Sequence, residues 1–209
     1  MPHSHKNFVV FGPNGRCGSH WVELILQNFY GATLVPPGPF SASPTGWIYH
    51  TNGMHDLSEM PSEIRNSATL VYCVRKNYFD AAISFLVAEI TGEWQHYTSK
   101  TVEPFIINCD KFTQFINTLH DHTTKIIPEK ILPLFDRVIH IDFDSLVSAV
   151  IPEKYVADQL GIDYVANENY CRTDKNKNTR NYKELVLNWD ELVGIYKSFT
   201  DDHRSQEAI

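Results

Sequence analysis

The residues able to do chemistry gather where Phe8-Val9-Val10-Phe11 gives way to Gly12-Pro13-Asn14-Gly15-Arg16-Cys17-Gly18-Ser19-His20. An apolar run, a loop carrying Gly12, Gly15 and Gly18, and then Trp21-Val22-Glu23-Leu24-Ile25-Leu26 read as strand, loop and helix in that order. Such a junction aims backbone N–H groups and the positive end of a helix at one point, which favours an anion of phosphate type. An ATP-binding loop of this kind carries Gly-Lys-Ser/Thr at the helix entry. Here Gly18-Ser19-His20 stands at that entry, and the cation, Arg16, comes before the last glycine. An arginine offers a planar fork that can hold two oxygens at once. Taken alone, the loop leaves a tight turn with a surface arginine as the alternative.

The elements that must position this loop follow from the hydrophobic pattern. Apolar strands alternate with helical periodicities, which predicts an α/β chain with a mostly parallel sheet. Strands are predicted over 8–12, 47–50, 69–74 and 138–143, the run Thr69-Leu70-Val71-Tyr72-Cys73-Val74 being the strongest. Helices are predicted over 19–30, 77–89, 103–125, 128–134, 152–160 (stopped by Gly161) and 189–199. The Pro/Gly/Ser-rich stretch 35–46 and the polar stretch 167–180 read as loops. The last residues, Asp201 to Ile209, are expected to fray. No internal repeat and no second hydrophobic core is visible, so one domain over 1–209 is expected.

The loop resembles the 5′-phosphosulfate-binding loop of sulfotransferases that use 3′-phosphoadenosine-5′-phosphosulfate, which reads Pro-Lys-Ser-Gly-Thr-Thr-Trp or Pro-Arg-Ser-Gly-Thr-Thr. On this chain the cation is Arg16, the glycine Gly18, the next two positions Ser19 and His20, and the tryptophan Trp21. The chain departs at the proline position, where it has Gly15, and in having one hydroxyl instead of two. A second stretch, LVYCVRKNYFDAAISF over 70–85, resembles the family's central strand, arginine and helix-borne serine. The resemblance implies a three-layer P-loop-like fold, with a mostly parallel central sheet flanked by helices. It implies that Gly15 to Trp21 form the donor-binding stretch, that backbone N–H groups of Cys17 to His20 hold the 5′-phosphate, and that Arg16 reaches the oxygen bridging phosphate and sulfate. It implies that Arg75 or Lys76, with Ser84, binds the 3′-phosphate. Lys177 and Arg180 lie where the family has a basic loop over the same phosphate, although its Arg-Lys-Gly signature is absent. The stretch Val138 to Leu146 resembles a late strand followed by an acidic residue and a leucine, and supports the fold alone.

Sulfuryl transfer needs a base for the acceptor proton. The resemblance places a histidine after a strand between the two phosphate motifs, and both His50 and His55 qualify. His50 has the better strand-end position, and His55 the more family-like distance to Arg75. Glu23 and Glu59 are weaker candidates. Histidine titrates through neutral pH without special tuning. His20 reads as a substitute for a phosphate-contacting hydroxyl.

Bulk properties set the limits. The net charge of −7 argues against nucleic acid as a general partner, because that needs a basic field. No apolar run reaches the ~18 residues of a membrane helix. The strand begins so close to the N-terminus that no signal peptide is expected before it. The four cysteines, Cys17, Cys73, Cys109 and Cys171, have no CxxC spacing and read as reduced thiols of a cytoplasmic protein. The closest histidine pairs, His3/His5 and His120/His122, read as solvated, so no metal is implied. The reading is therefore a sulfotransferase acting on a small-molecule or carbohydrate acceptor, with 35–46 and 94–97 as candidate walls of its pocket. A P-loop kinase or hydrolase would need the missing lysine and a Ser/Thr on Mg²⁺. A module that binds a nucleotide without turnover is the rival from another class.

Overall fold

The computed structural model describes residues 7–13, 16–35, 46–94, 102–164, 166 and 181–207. In chain order the elements are β1 (Phe8–Phe11), α1 (Ser19–Tyr30), β2 (Thr33–Leu34), β3 (Trp47–Thr51), α2 (Met54–Glu59), α3 (Ser62–Ser67), β4 (Thr69–Val74), α4 (Tyr78–Thr91) and α5 (Cys109–Asp121). A π-helical turn (His122–Ile126) leads to α6 (Ile127–Lys130) and a 3₁₀ turn (Leu132–Leu134). Then come β5 (Val138–Asp142), α7 (Phe143–Ser148), α8 (Pro152–Leu160), α9 (Tyr182–Leu185) and α10 (Trp189–Glu207). The chain divides into two compact units, Met1–Lys76 with Asp121–Arg172, and Asn77–His120 with Thr173–Ile209.

The first unit holds the whole sheet. Its strands run β2-β3-β1-β4-β5, all parallel, with Phe8 opposite both Ile48 and Thr69 and Leu70 opposite Val138. Every residue of β1 and β4 is buried, as expected of inner parallel strands covered on both faces. Alternation along β1 sends Phe8 and Val10 into one core and Val9 and Phe11 into another. The first core closes with Val22, Ile25 and Leu26 of α1 and Val156 and Leu160 of α8. The second closes with Leu57, Met60, Ile127, Ile131 and Phe135. Each large side chain fully removed from water contributes about 1.5–3 kcal/mol, so the strand ends are held firmly enough to fix the loops that leave them. The chain passes from β1 to β2 and β3 on one side, then from β4 to β5 on the other. Such a reversal is the place where open parallel sheets bind ligands, outside the carboxyl ends of the strands. The loops after β1 and β4 flank it.

The second unit, Asn77–His120 with Thr173–Ile209, has a core of its own. Phe79, Ile83, Leu86, Val87, Ile107, Phe112, Ile116, Val186 and Leu192 form a further core cluster there, beyond the single core expected. Helix α5 begins at Cys109 instead of 103, because Phe105 pairs in a parallel bridge with Val186 through Leu185 O and Leu187 N. The side chain of Asn108 then accepts the Lys111 N–H at 2.9 Å and opens the helix. The predicted helices over 103–125 and 128–134 thus become α5, the π-helical turn, α6 and the 3₁₀ turn. Helix α10 continues to Glu207, past its expected end at 199. The short elements β2, α2, α3, α7 and α9 carry too little periodicity to be foreseen. The loop residues 36–45 and 167–180 lie outside the described residues.

Candidate functional site

Three sequence features build the site in the first unit: the tight loop after β1, the carboxyl end of β3, and the cationic pair after β4. Gly12 lies so close to the following residues that a Cβ there would come within 2.5 Å of Cys17 Sγ and Ser19 Oγ. Arg16 has φ 60°, a left-handed conformation that side chains adopt at a cost of about 1–2 kcal/mol. Gly18 follows with φ 79° and is the residue before α1. The carbonyl of Gly18 accepts the Val22 N–H at 3.0 Å, and the preceding N–H groups of α1 have no carbonyl of the helix to bind. Cys17 and Ser19 are buried, and Trp21 belongs to the sheet core.

The cation after β4 reaches the same loop. The guanidinium of Arg75 stacks on the Phe143 ring, with its carbon 4.7 Å from the ring centroid. The Phe143 ring in turn closes on Gly18, where a Cβ would lie 2.7 Å from Cδ2. Burial pushes the Cys17 thiol up, and the charge of Arg75 is among the influences opposing it. Lys76, by contrast, is 78% exposed and lies 3.9 Å from Asp142.

The proton-handling residues meet at the start of α1. His50 sits on β3, opposite Val10 of β1. Its Nδ1 is 2.7 Å from Glu23 Oε2 and its Nε2 2.9 Å from Ser19 Oγ. His20 Nδ1 reaches the same Glu23 oxygen at 3.2 Å, and the two imidazoles stack with centroids 6.2 Å apart. Gln27 donates to the other oxygen, Oε1, at 3.1 Å. Burial alone would push the Glu23 carboxyl up. The hydrogen bonds and charges of His20 and His50 outweigh it and bring the carboxyl to about 2. In return, the hydrogen bond to Glu23 raises His20 against the effect of its burial. A carboxylate only accepts, so each Nδ1 carries the proton toward it. His50 Nε2 then faces Ser19 Oγ across 2.9 Å and can accept its proton in the tautomer that carries hydrogen on Nδ1 alone.

His20, Glu23 and His50 place three ligand-type atoms within 4.8 Å of one another, and a divalent ion could be held there. Two ligands of one tetrahedral zinc stand roughly 3.3 Å apart, from metal–ligand bonds of about 2.0–2.1 Å. The His50–Glu23 distance of 2.7 Å is instead that of a charge-assisted hydrogen bond.

The sequence-predicted residues thus divide. Arg16, Cys17, Gly18, Ser19, His20, His50 and Arg75 gather around one loop, and Lys76 stands beside Arg75 in sequence. His55 is on α2, 78% exposed and paired with Glu59 at 3.1 Å. Ser84 is buried in the second unit, with Oγ 3.3 Å from the Tyr182 hydroxyl. Gly15, Lys177 and Arg180 lie outside the described residues. The sequence offered Glu23 only as a weak candidate base. The spacing of His20, Glu23 and Gln27 on one helix face is the signal that could have assigned it a positioning role. Nothing in the sequence marks Phe143. A scan against protein-family models matched none, and a search of curated proteins found no match.

Proposed function

We propose that this chain is a cytoplasmic sulfotransferase with a three-layer P-loop-like fold. It would move a sulfuryl group from 3′-phosphoadenosine-5′-phosphosulfate to a hydroxyl or amine of a small-molecule or carbohydrate acceptor. The observation that carries the reading is the stack of Arg75 on Phe143 on Gly18. It brings the cation of the second phosphate motif to the loop of the first, at the sheet's reversal point. The two motifs are far apart in sequence, and a chance turn with a surface arginine would have no reason to share a wall with Arg75.

In this reading the N–H groups of residues 17–20 hold the 5′-phosphate at the positive end of α1. Arg16 stabilises the charge that grows on the oxygen bridging phosphorus and sulfur as the S–O bond breaks. Arg75 anchors the 3′-phosphate, with Lys76 as the second cation. The roles of Ser84, Lys177 and Arg180 rest on the motifs alone. The acceptor hydroxyl takes the place at His50 Nε2 that Ser19 Oγ fills in the structure, and gives its proton to that nitrogen while it attacks sulfur in line. Glu23 keeps Nδ1–H oriented and balances the imidazolium that forms. His50 is preferred to His55 because His50 alone of the two touches the loop.

The test is turnover of donor carrying labelled sulfur against a panel of alcohols, phenols, amines and sugars. Label should appear on an acceptor, and His50→Ala should slow transfer about 10²–10⁴-fold, the usual weight of a general base, while His55→Ala leaves it within about twofold. Donor binding with no transfer to any acceptor would favour the binding module. Equal loss in the two variants would remove His50 from its role.

A further inference from the structure

We propose that Ser19, His50 and Glu23 form an activated-serine relay, and that Ser19 is a nucleophile toward carboxylic and phosphonic esters. A serine becomes nucleophilic when a base takes its proton and a third group orients the base. All three roles are filled here by suitable atoms at hydrogen-bond distance. Ser19 Oγ lies 2.9 Å from His50 Nε2, and His50 Nδ1 lies 2.7 Å from Glu23 Oε2. The Glu23 side chain is 5% exposed, and Gln27 fixes its second oxygen. The serine opens α1 directly after the loop from β1, a strand–turn–serine–helix arrangement that suits a nucleophile. His50 is held by the β1–β3 ladder, in which Val10 faces His50 and Phe11 faces Thr51. The loop is shaped around the hydroxyl, since any side chain at Gly12 would collide with it. The N–H groups that begin α1 supply donors for a developing oxyanion.

The proposed steps balance. Ser19 Oγ attacks the carbonyl carbon as its proton passes to His50 Nε2. The ester C–O bond then breaks, the proton leaves with the alcohol, and the acyl group stays on Ser19. Water attacks the acyl-serine, giving a proton to His50, which returns it to Oγ as the carboxylic acid departs. A fluorophosphonate stops at the first stage: an O–P bond forms, the P–F bond breaks and fluoride leaves. This inference does not depend on the sulfuryl reading, since it needs no donor nucleotide.

The experiment is fluorophosphonate labelling of the intact chain, with the adduct mapped by tandem mass spectrometry, alongside release of p-nitrophenol from p-nitrophenyl acetate. The wild type is expected to carry the adduct on Ser19, and Ser19→Ala to carry none there. His50→Ala should label about 10²–10⁴-fold more slowly, with added imidazole restoring part of the rate, which a merely structural role would not allow. His50→Gln keeps a hydrogen-bonding side chain beside Ser19 and should be as slow. Glu23→Gln should slow labelling at least about tenfold. Absence of an adduct on Ser19 in the folded wild type overturns the proposal. So does labelling at the wild-type rate in His50→Ala and His50→Gln.

Discussion

At Glu23, donors from His20, His50 and Gln27 meet on one buried carboxylate. A carboxyl group held at about 2 against its ordinary 4.5 contributes stability that is complete above pH 4.5 and lost as pH falls toward 2. His20 has the opposite sign. Its value is raised above 6.5, so its share is complete below that pH and lost as pH climbs through the folded value. Both shifts describe the same contact. The wild type should therefore exceed Glu23→Gln in stability most clearly between about pH 4.5 and 6.5. Loss of hydrogen bonds to a charged group costs about 1.5–3 kcal/mol each, and urea unfolding across that range measures it. A difference that stays flat down to pH 2 would contradict the arrangement. The residue types at this site were legible in sequence, since loop chemistry and a strand-end histidine are local patterns. That His50 and not His55 faces Ser19 was not legible. It is set by the register of β3 on β1.

Between elements, Gly18 and Phe143 join the loop before α1 to the first residue of α7. An alanine at Gly18 would meet two penalties: a left-handed φ, worth about 1–3 kcal/mol in strain, and a Cβ at 2.7 Å from the Phe143 ring. Gly18→Ala should lower the thermal midpoint. On the proposed function it should also weaken binding of adenosine 3′,5′-bisphosphate, because moving Phe143 moves the surface on which Arg75 stacks. Unchanged binding in a destabilised variant would uncouple the two loops. The principal strands and most helices were readable from periodicity, because β1 and β4 are buried on both faces and α1 on one. The start of α5 was not readable. The stripe of Phe105, Phe112, Phe115, Ile116 and Leu119 suggests a longer helix, but the backbone of Phe105 is committed to Leu185 and Leu187. That pairing spans some eighty residues, as does the Ile107 bond to Asn188, and leaves no local signal.

For the molecule as a whole, the parallel sheet was foreseen and its order was not: alternation of strands and helices predicts parallel pairing, but no local pattern places β4 beside β1. Cys17 and Cys73 test the core that results. Both are buried, and burial pushes both thiols up, which suppresses the reactive thiolate. A thiol reagent should reach the fully buried Cys73 only at the rate of unfolding and modify the partly buried Cys109 sooner, although burial and Glu191 push that thiol up as well, as peptide mapping after timed quenching would show. Rapid native modification of Cys73 would contradict the packing. Among the described residues no helix is long and apolar enough to cross a membrane. The central claim is that the loop after β1 and the cation after β4 together bind a nucleotide with a 3′-phosphate. Titration calorimetry with adenosine 3′,5′-bisphosphate measures this directly, on the wild type, Arg75→Ala and Lys76→Ala. The wild type should bind, and Arg75→Ala should weaken binding about 10–100-fold, as expected for a charge-assisted contact to phosphate. No binding by the wild type, or unchanged binding in both variants, would contradict it.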